Sequence, residues 1–291
     1  MKKNTFIFVV GLFVLASIVL LCKNYFTVNF CVDFDVSMQT ACYPDVVNTP
    51  WSNQVMSIFR ELYKKNNLCS VTQSKSLKIP KIIHQIWLGS EFPEKYKLFQ
   101  QSWIKHHPDW EYKLWQEADI EKLPLHNRAL YDAARNYGEK SDIARYEILY
   151  MFGGLYVDTD YECIKPCDIF HYSYDFYIGI QPLDTNSAQL GIGLIGAAPG
   201  HQLLNYAIKG LPASAQQTQQ IVVKTGPFYF TRIFCLYARQ VPGITIAFPA
   251  TFFYPRGYNQ SFEERVNWLK PESFAVHHWA GSWLTKEAFM K

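Results

Sequence analysis

The sequence predicts an α/β protein, and three observations carry that reading. Short β-branched runs alternate with helical stretches, an apolar helix stops at Gly153-Gly154, and a buried strand follows at once. Taken in order, Lys81–Trp87 (KIIHQIW) is bounded by Pro80 and Gly89 and reads as a strand. Glu94–His107 is helical and is stopped by Pro108. Glu111–Trp115 is a second strand, and Glu117–Leu123 and His126–Tyr137 read as helices. Lys140–Phe152 is apolar on nearly every face, with Ser141 as its expected N-cap and the glycine pair as its stop. Leu155-Tyr156-Val157 is the strand that follows. Phe176–Ile180, Gly191–Ala197 and Ile244–Phe253 add further strands, some of them antiparallel. There is no internal repeat.

Composition narrows the class. Of 291 residues, 49 % are hydrophobic and 18 % charged, which excludes disorder, collagen and coiled coil. A formal charge of +3 is too small for a nucleic-acid surface, so no such partner is expected. Aromatic residues make up 16 %, which suits sugar rings and nucleobases but suits a core equally well.

The amino-terminal region reads as a membrane anchor. Residues 1–4 form a cytosolic tail, and Thr5–Cys22 is an uncharged run between Lys3 and Lys23. As a helix that run rises roughly 27 Å, near the lower limit for crossing a hydrocarbon core. A cleaved signal peptide is the alternative, but the run exceeds the usual apolar core and lacks small residues at its end. Lys2 and Lys3 keep the amino terminus inside, giving a single-pass type II protein. In a eukaryotic host the short span suits a Golgi or ER membrane, and otherwise the inner membrane. Residues 23–77 read as a stem with one helix near Gln54–Lys65, and residues 78–291 as the compact domain. Cys31, Cys42, Cys69, Cys163, Cys167 and Cys235 follow the anchor, and an even number there permits disulfides of undetermined pairing. Cys163 and Cys167 lack the second pair that a zinc site needs. Asn259-Gln260-Ser261 is an N-glycosylation sequon.

The chemistry concentrates where the strand Leu155–Val157 runs into Asp158-Thr159-Asp160. Two carboxylates this close repel unless a divalent cation neutralises them, and ligands of open α/β sheets gather at the carboxyl ends of strands. Alone, such a pair is also a common turn. Asp142 and Arg145 share one face of the apolar helix, where charges need either each other or a ligand. Gly153-Gly154 allows a tight turn and is expected to leave room above the carboxylates. Trp87, ending the first strand, stacks on a flat base or fills core. Near the carboxyl end, Ala275-Val276-His277-His278-Trp279-Ala280-Gly281-Ser282-Trp283 offers imidazoles for an oxygen-rich metal site.

These motifs, in this order, resemble the DXD-containing sugar transferases of glycosyltransferase family 32. The resemblance runs from Ile79 to Trp283 and includes Thr225-Gly226-Pro227 before a helix. It implies a GT-A, Rossmann-like fold and retaining transfer of a hexose from a nucleotide sugar to a glycan or glycolipid, with Mn²⁺ or Mg²⁺. GDP-mannose is the first choice of donor, followed by UDP-galactose or UDP-glucose. By motif position Asp158, Asp160 and His277 or His278 would hold the metal. Asp142, Arg145, Asp158 and Asp160 would be catalytic. Trp87, Tyr156, Ser282 and Trp283 would join Asp142, Arg145 and Asp158 around the donor. Base and sugar specificity is assigned to the loops His171–Gln189 and Pro249–Val266. A carboxylate-pair hydrolase and a non-catalytic glycan-binding protein are the rival classes. Oligomeric state is not legible.

Overall fold

The computed structural model describes residues 30–284. The expected tail and anchor, residues 1–22, lie outside them. Among the described residues no helix is long and apolar enough to cross a membrane.

Strands β1 (Ile82–Ile86), β2 (Glu111–Trp115), β3 (Gly154–Val157), β5 (Phe176–Ile180), β6 (Leu190–Ala197) and β7 (Thr245–Phe248) form one sheet in the order β2-β1-β3-β6-β5-β7. β1 runs parallel to β2 and β3, and β5 runs parallel to β7. β6 is antiparallel to both β3 and β5, so the sheet is mixed and the carboxyl ends of the other five strands share one edge. Strands β4 (Tyr161–Cys163) and β8 (Ala275–His277), neither expected from sequence, pair as a separate antiparallel ribbon. Thr245–Phe248 is shorter than the expected strand because Pro249 ends it and a 3₁₀ turn, Ala250–Phe252, follows.

The helices that frame the sheet are α1 (Phe34–Met38), α2 (Pro50–Asn66), α3 (Glu94–His106), α4 (Tyr137–Phe152), α5 (Gln202–Gln217) and α6 (Pro227–Tyr237). The two helices expected after β2 are single turns, Glu117–Ile120 and Arg128–Ala133. Helix α4 starts about one turn earlier than the sequence suggests. Its cap is Asn136, not Ser141, since the Asn136 side chain accepts the N–H groups of Gly138 and Glu139.

Gly153 and Gly154 end α4 at φ 64° and 101°. A Cβ on Gly154 would lie 2.6 Å from the Ile82 carbonyl oxygen and 3.0 Å from His84 Nε2. The pair is therefore required by the turn and by the close approach of β1, not to clear space above the carboxylates. His84 locks this corner. Trp115 donates to its Nδ1 at 3.1 Å, so Nε2 carries the proton and donates to the Gly153 carbonyl at 2.8 Å. Burial brings the His84 pKa down to about 4, so the ring is neutral at pH 7.

The expected stem is, from Cys31 onward, part of the same compact unit. Phe59 on α2 is fully buried edge-on to Phe234 of α6, and Asn66 Nδ2 donates to the Thr245 carbonyl at 2.8 Å. Thr49 caps α2 by accepting the Ser52 N–H, and Trp51 Nε1 reaches the Ala188 carbonyl. The apolar stripe of this helix needs a partner, and the β7 side of the sheet supplies it. Much of the aromatic content is core: Phe170 packs against Phe248, Phe253, Phe274 and Tyr177.

Cys31 and Cys69 form a disulfide across α1 and α2, whereas Cys42, Cys163, Cys167 and Cys235 are thiols. The bridge closes a sequence separation of 38 residues. Loop-closure entropy for that span sets an expected loss of about 3–4 kcal/mol in Cys31→Ser. Denaturant titration of oxidised wild type against the variant measures it.

Candidate active site

Strand β3 ends at Val157, and the chain reverses through Asp158–Tyr161, where the Tyr161 N–H donates to the Asp158 carbonyl at 3.1 Å. The turn feeds β4. It folds the two carboxylates toward each other, so their convergence comes from the reversal as well as from strand alternation. One ligand atom from each of Asp158, Asp160 and His277 falls within 4.8 Å of the others.

The β4–β8 ribbon sets His277. It pairs with Tyr161, the residue after Asp160, and its ring stacks on the Tyr161 ring at 4.6 Å. His277 Nε2 lies 3.3 Å from Asp160 Oδ2, which also accepts the Ala280 N–H at 2.8 Å. Burial acts to raise the Asp160 carboxyl, but His277 and the Ala280 N–H outweigh it and hold the group well below the usual carboxylate range. His277 Nδ1 is buried without a hydrogen-bond partner. His278 faces the other way. Its Nε2 sits 3.1 Å from Glu162 Oε2 and its ring stacks on Phe99 at 4.3 Å, so it does not join the cluster. Alternation along β8 separates the two histidines.

Helix α4 supplies the second wall. Arg145 is buried and forks between Asp142 Oδ1 and Asp158 Oδ1, 3.1 Å from each, while also donating to the Ile192 carbonyl at 2.9 Å. Burial opposes its charge, and Asp158 and Asp142 more than restore it. Asp142 Oδ2 accepts the Thr225 hydroxyl at 2.9 Å. Burial pushes the Asp142 carboxyl up to about 7 against the pull of Arg145 and Thr225. One turn earlier Glu139 pairs with Lys224 at 2.6 Å.

The other expected donor residues fall in different places. Tyr156 is buried, donates its hydroxyl to Asp158 Oδ1 at 2.7 Å and lies under the Arg145 guanidinium at 4.5 Å. It positions Asp158 and Arg145 and offers no exposed face to a donor. Trp87 is half-buried at the carboxyl end of β1, with Nε1 held by Ser90 Oγ and the Glu91 carbonyl at 3.1 Å each. Ser282 and Trp283 lie in a 3₁₀ turn at the amino end of α4, where the Trp283 carbonyl accepts Asn136 Nδ2 at 3.0 Å. The run from Ala275 to Trp283 thus passes from the β4 ribbon, across Asp160, to the start of α4.

Some participants were not singled out from sequence. The Glu139–Lys224 pair and the Ala280 N–H are long-range partners with no local signal. Gly193 is another: a Cβ there would lie 2.6 Å from Asp158 Oδ2. The alternation Gly191-Ile192-Gly193 in a strand is the signal that could have marked it.

Residues 93–177, which contain α3, α4, β3 and the Asp158–Asp160 turn, match the family described as glycosyltransferase sugar-binding region containing DXD motif. In this region the chain is similar to the DXD glycosyltransferases of family 32. Inositol phosphoceramide mannosyltransferase 3 of Schizosaccharomyces pombe is 29 % identical to this chain over 231 residues, covering 72 % of the chain and 62 % of that protein. Inositol phosphoceramide mannosyltransferase 2 of the same organism is 26 % identical over 72 % of the chain and 59 % of its own length. The chain therefore spans about three fifths of the length of these relatives. An uncharacterised glycosyltransferase of Acanthamoeba polyphaga mimivirus is 28 % identical over 56 % of the chain and 68 % of that protein. Among solved structures, the PaToxG glycosyltransferase overlays with TM-score 0.49 at 18 % identity, covering 65 % of this chain and 78 % of that one.

Proposed function

We propose that the protein is a membrane-anchored, metal-dependent retaining glycosyltransferase of GT-A type that moves mannose from GDP-mannose to a glycan or glycolipid. The observation that carries this reading is the convergence of Asp158, Asp160 and His277 at the carboxyl edge of the sheet, beside the buried Asp142–Arg145 pair. The names of the two Schizosaccharomyces relatives support the choice of mannose. The Cys31–Cys69 bridge supports an oxidising compartment, in keeping with a type II protein of a Golgi or ER membrane.

The donor set suits Mn²⁺ or Mg²⁺. Two carboxylates and an imidazole are hard-to-borderline ligands, and the unpartnered Nδ1 shows that the His277 ring is not fully committed to protein contacts. Asp158 accepts Arg145 and Tyr156 through Oδ1, while Oδ2 lies toward the bare Gly193. When bound, such an ion supplies Lewis-acid stabilisation to a departing diphosphate.

The chain's own groups do the rest. Arg145 fixes the orientation of Asp158 and adds positive potential in a dry wall, where preorganised charge acts most strongly. Asp142, braced by Arg145 and the Thr225 hydroxyl, would help to hold the donor sugar. Trp87 sits at the strand end with a ring fixed by its own indole N–H, in position to lie along a nucleobase. Ala280 places the 275–283 run over Asp160 and limits water there.

The test incubates the purified chain with GDP-mannose, UDP-galactose and UDP-glucose, with manganese and with chelator, and measures released nucleotide. Release from GDP-mannose that is lost on chelation and restored by manganese is expected. No release from any donor overturns the reading. Anomeric configuration of the product, read by NMR, tests retention.

A further inference from the structure

The carboxyl ends of β3, β1 and β2 lie side by side in that order, and neighbouring strands stand about 5 Å apart. Asp158 follows the first, and Gln85 Nε2 of β1 donates to its carbonyl at 3.2 Å. Trp87 follows the second. Beyond it Gly89 meets Glu117, which comes after β2 and accepts the Gly89 N–H through Oε1. The first turn of α4 closes the same corner. The Tyr137 ring packs on Gly89, where a Cβ would lie 2.3 Å from a ring carbon. Lys140 stands one turn along from Tyr137 on that face of the helix.

Two charged groups in this corner are left over. Lys140 is 8 % exposed, and its Nζ rests over the Tyr131 ring at 4.4 Å. Among the described residues no carboxylate pairs with it, and its neighbour Glu139 is taken by Lys224. Burial pushes the Tyr131 hydroxyl up to about 12, with the Glu117 charge adding to it, so Tyr131 is a neutral wall and not a counter-ion. A cation this deep needs an acceptor. Glu117 is half-buried, and its Oε2 accepts no hydrogen bond from the described residues.

A ligand that answers both groups carries acceptors and donors along one flat edge. Guanine has that edge: O6 and N7 accept, while N1–H and the N2 amino group donate side by side. Uracil does not, because its one N–H is flanked by two carbonyl oxygens that a carboxylate repels. The order of the strand ends agrees. A nucleotide with its diphosphate at the Asp158–Asp160 turn and its body along Trp87 brings its base to the β2 side. We propose that Lys140 and Glu117 read the base of the donor and select guanine. Lys140 donates to O6 and N7, and Glu117 Oε2 accepts N1–H and N2–H. The assignment rests on the nucleotide-sugar reading. It moves base specificity from the loops His171–Gln189 and Pro249–Val266, at the β5–β7 side of the sheet, to the ends of β1, β2 and α4.

Isothermal titration calorimetry on the full chain in detergent with manganese tests it, with GDP, IDP, UDP and ADP as separate ligands. GDP is expected to bind at least about tenfold more tightly than UDP or ADP, the scale of one matched pair of base contacts. IDP lacks the N2 amino group and should bind more weakly than GDP. Glu117→Gln keeps an oxygen for the Gly89 N–H and turns an N–H donor outward, which suits the uracil carbonyls. It should narrow the GDP-to-UDP ratio about tenfold and remove the deficit of IDP. Lys140→Met retains the contact with Tyr131 and should weaken GDP about tenfold while leaving UDP nearly unchanged. The comparison of GDP with IDP in wild type needs no variant, so the test survives a substitution that does not fold. UDP or IDP binding as tightly as GDP in wild type, equal losses for GDP and UDP in both variants, or no binding by any nucleotide would each overturn the proposal. Guanine selection that follows Glu117 and Lys140 without turnover of any nucleotide sugar leaves the base site standing and ends the glycosyltransferase reading. Turnover of GDP-mannose without such selection does the reverse.

Discussion

Asp160→Asn should lower manganese-dependent nucleotide release by at least about 1,000-fold, the scale of removing one anchoring group from an electrostatic site. The amide is nearly isosteric, so it still accepts the Ala280 N–H, but it takes one of two carboxylate charges from the cluster. Stability moves less, and with a defined sign. The Asp160 carboxyl is held below its unfolded value, so its contribution is present above the unfolded pKa and is lost as pH falls through the folded one. The variant should therefore lose some metal-free stability at neutral pH and differ little from wild type in acid. Thermal unfolding at both pH values, with and without manganese, checks this. The metal-induced rise in midpoint should vanish in the variant. Release near the wild-type rate would sink the assignment of this cluster.

Arg145→Ala should be the most damaging single change to the fold, with an expected loss of about 3–5 kcal/mol, the cost of stripping one partner from a buried charge network. The guanidinium is the shared cation of Asp142 and Asp158, and it also satisfies the Ile192 carbonyl and covers the Tyr156 ring. Its removal leaves the buried Asp142 and the part-exposed Asp158 without their shared cation. Asp142 already tends toward protonation because of burial, so the variant should take up a proton there and recover part of its stability as pH is lowered below 7. Urea titrations across that pH range measure the effect. A loss under about 1 kcal/mol would place Arg145 with surface ion pairs and remove its structural role.

The sheet was largely legible because its signals are local. Short runs rich in β-branched or aromatic residues located β1, β2, β5 and β6 to within a residue or two. Asp142, Arg145, Asp158 and Asp160 were also legible, since charges in an apolar helix and paired acids after a buried strand are unusual within a short window. What failed depends on distance along the chain. The ribbon of β4 and β8 consists of two three-residue strands more than a hundred residues apart, so neither shows a period. For the same reason sequence could not separate His277 from His278, a choice made by which residue pairs with Tyr161. Tyr156, expected among the donor-binding residues, is buried with its ring beneath Arg145. From Cys31 onward the region read as stem packs with the compact unit: α2 has one apolar stripe among Asn, Gln, Ser and Lys, and that stripe is enough to dock it.

The pairing of Tyr161 with His277 also bears on biosynthesis. A ribosome-bound chain interrupted before Ala275 would already carry both aspartates, Arg145 and every strand of the large sheet. It would still lack the imidazole and the amide that steady Asp160. The groups that complete the surroundings of Asp160 thus come from a segment more than a hundred residues downstream of the turn they steady.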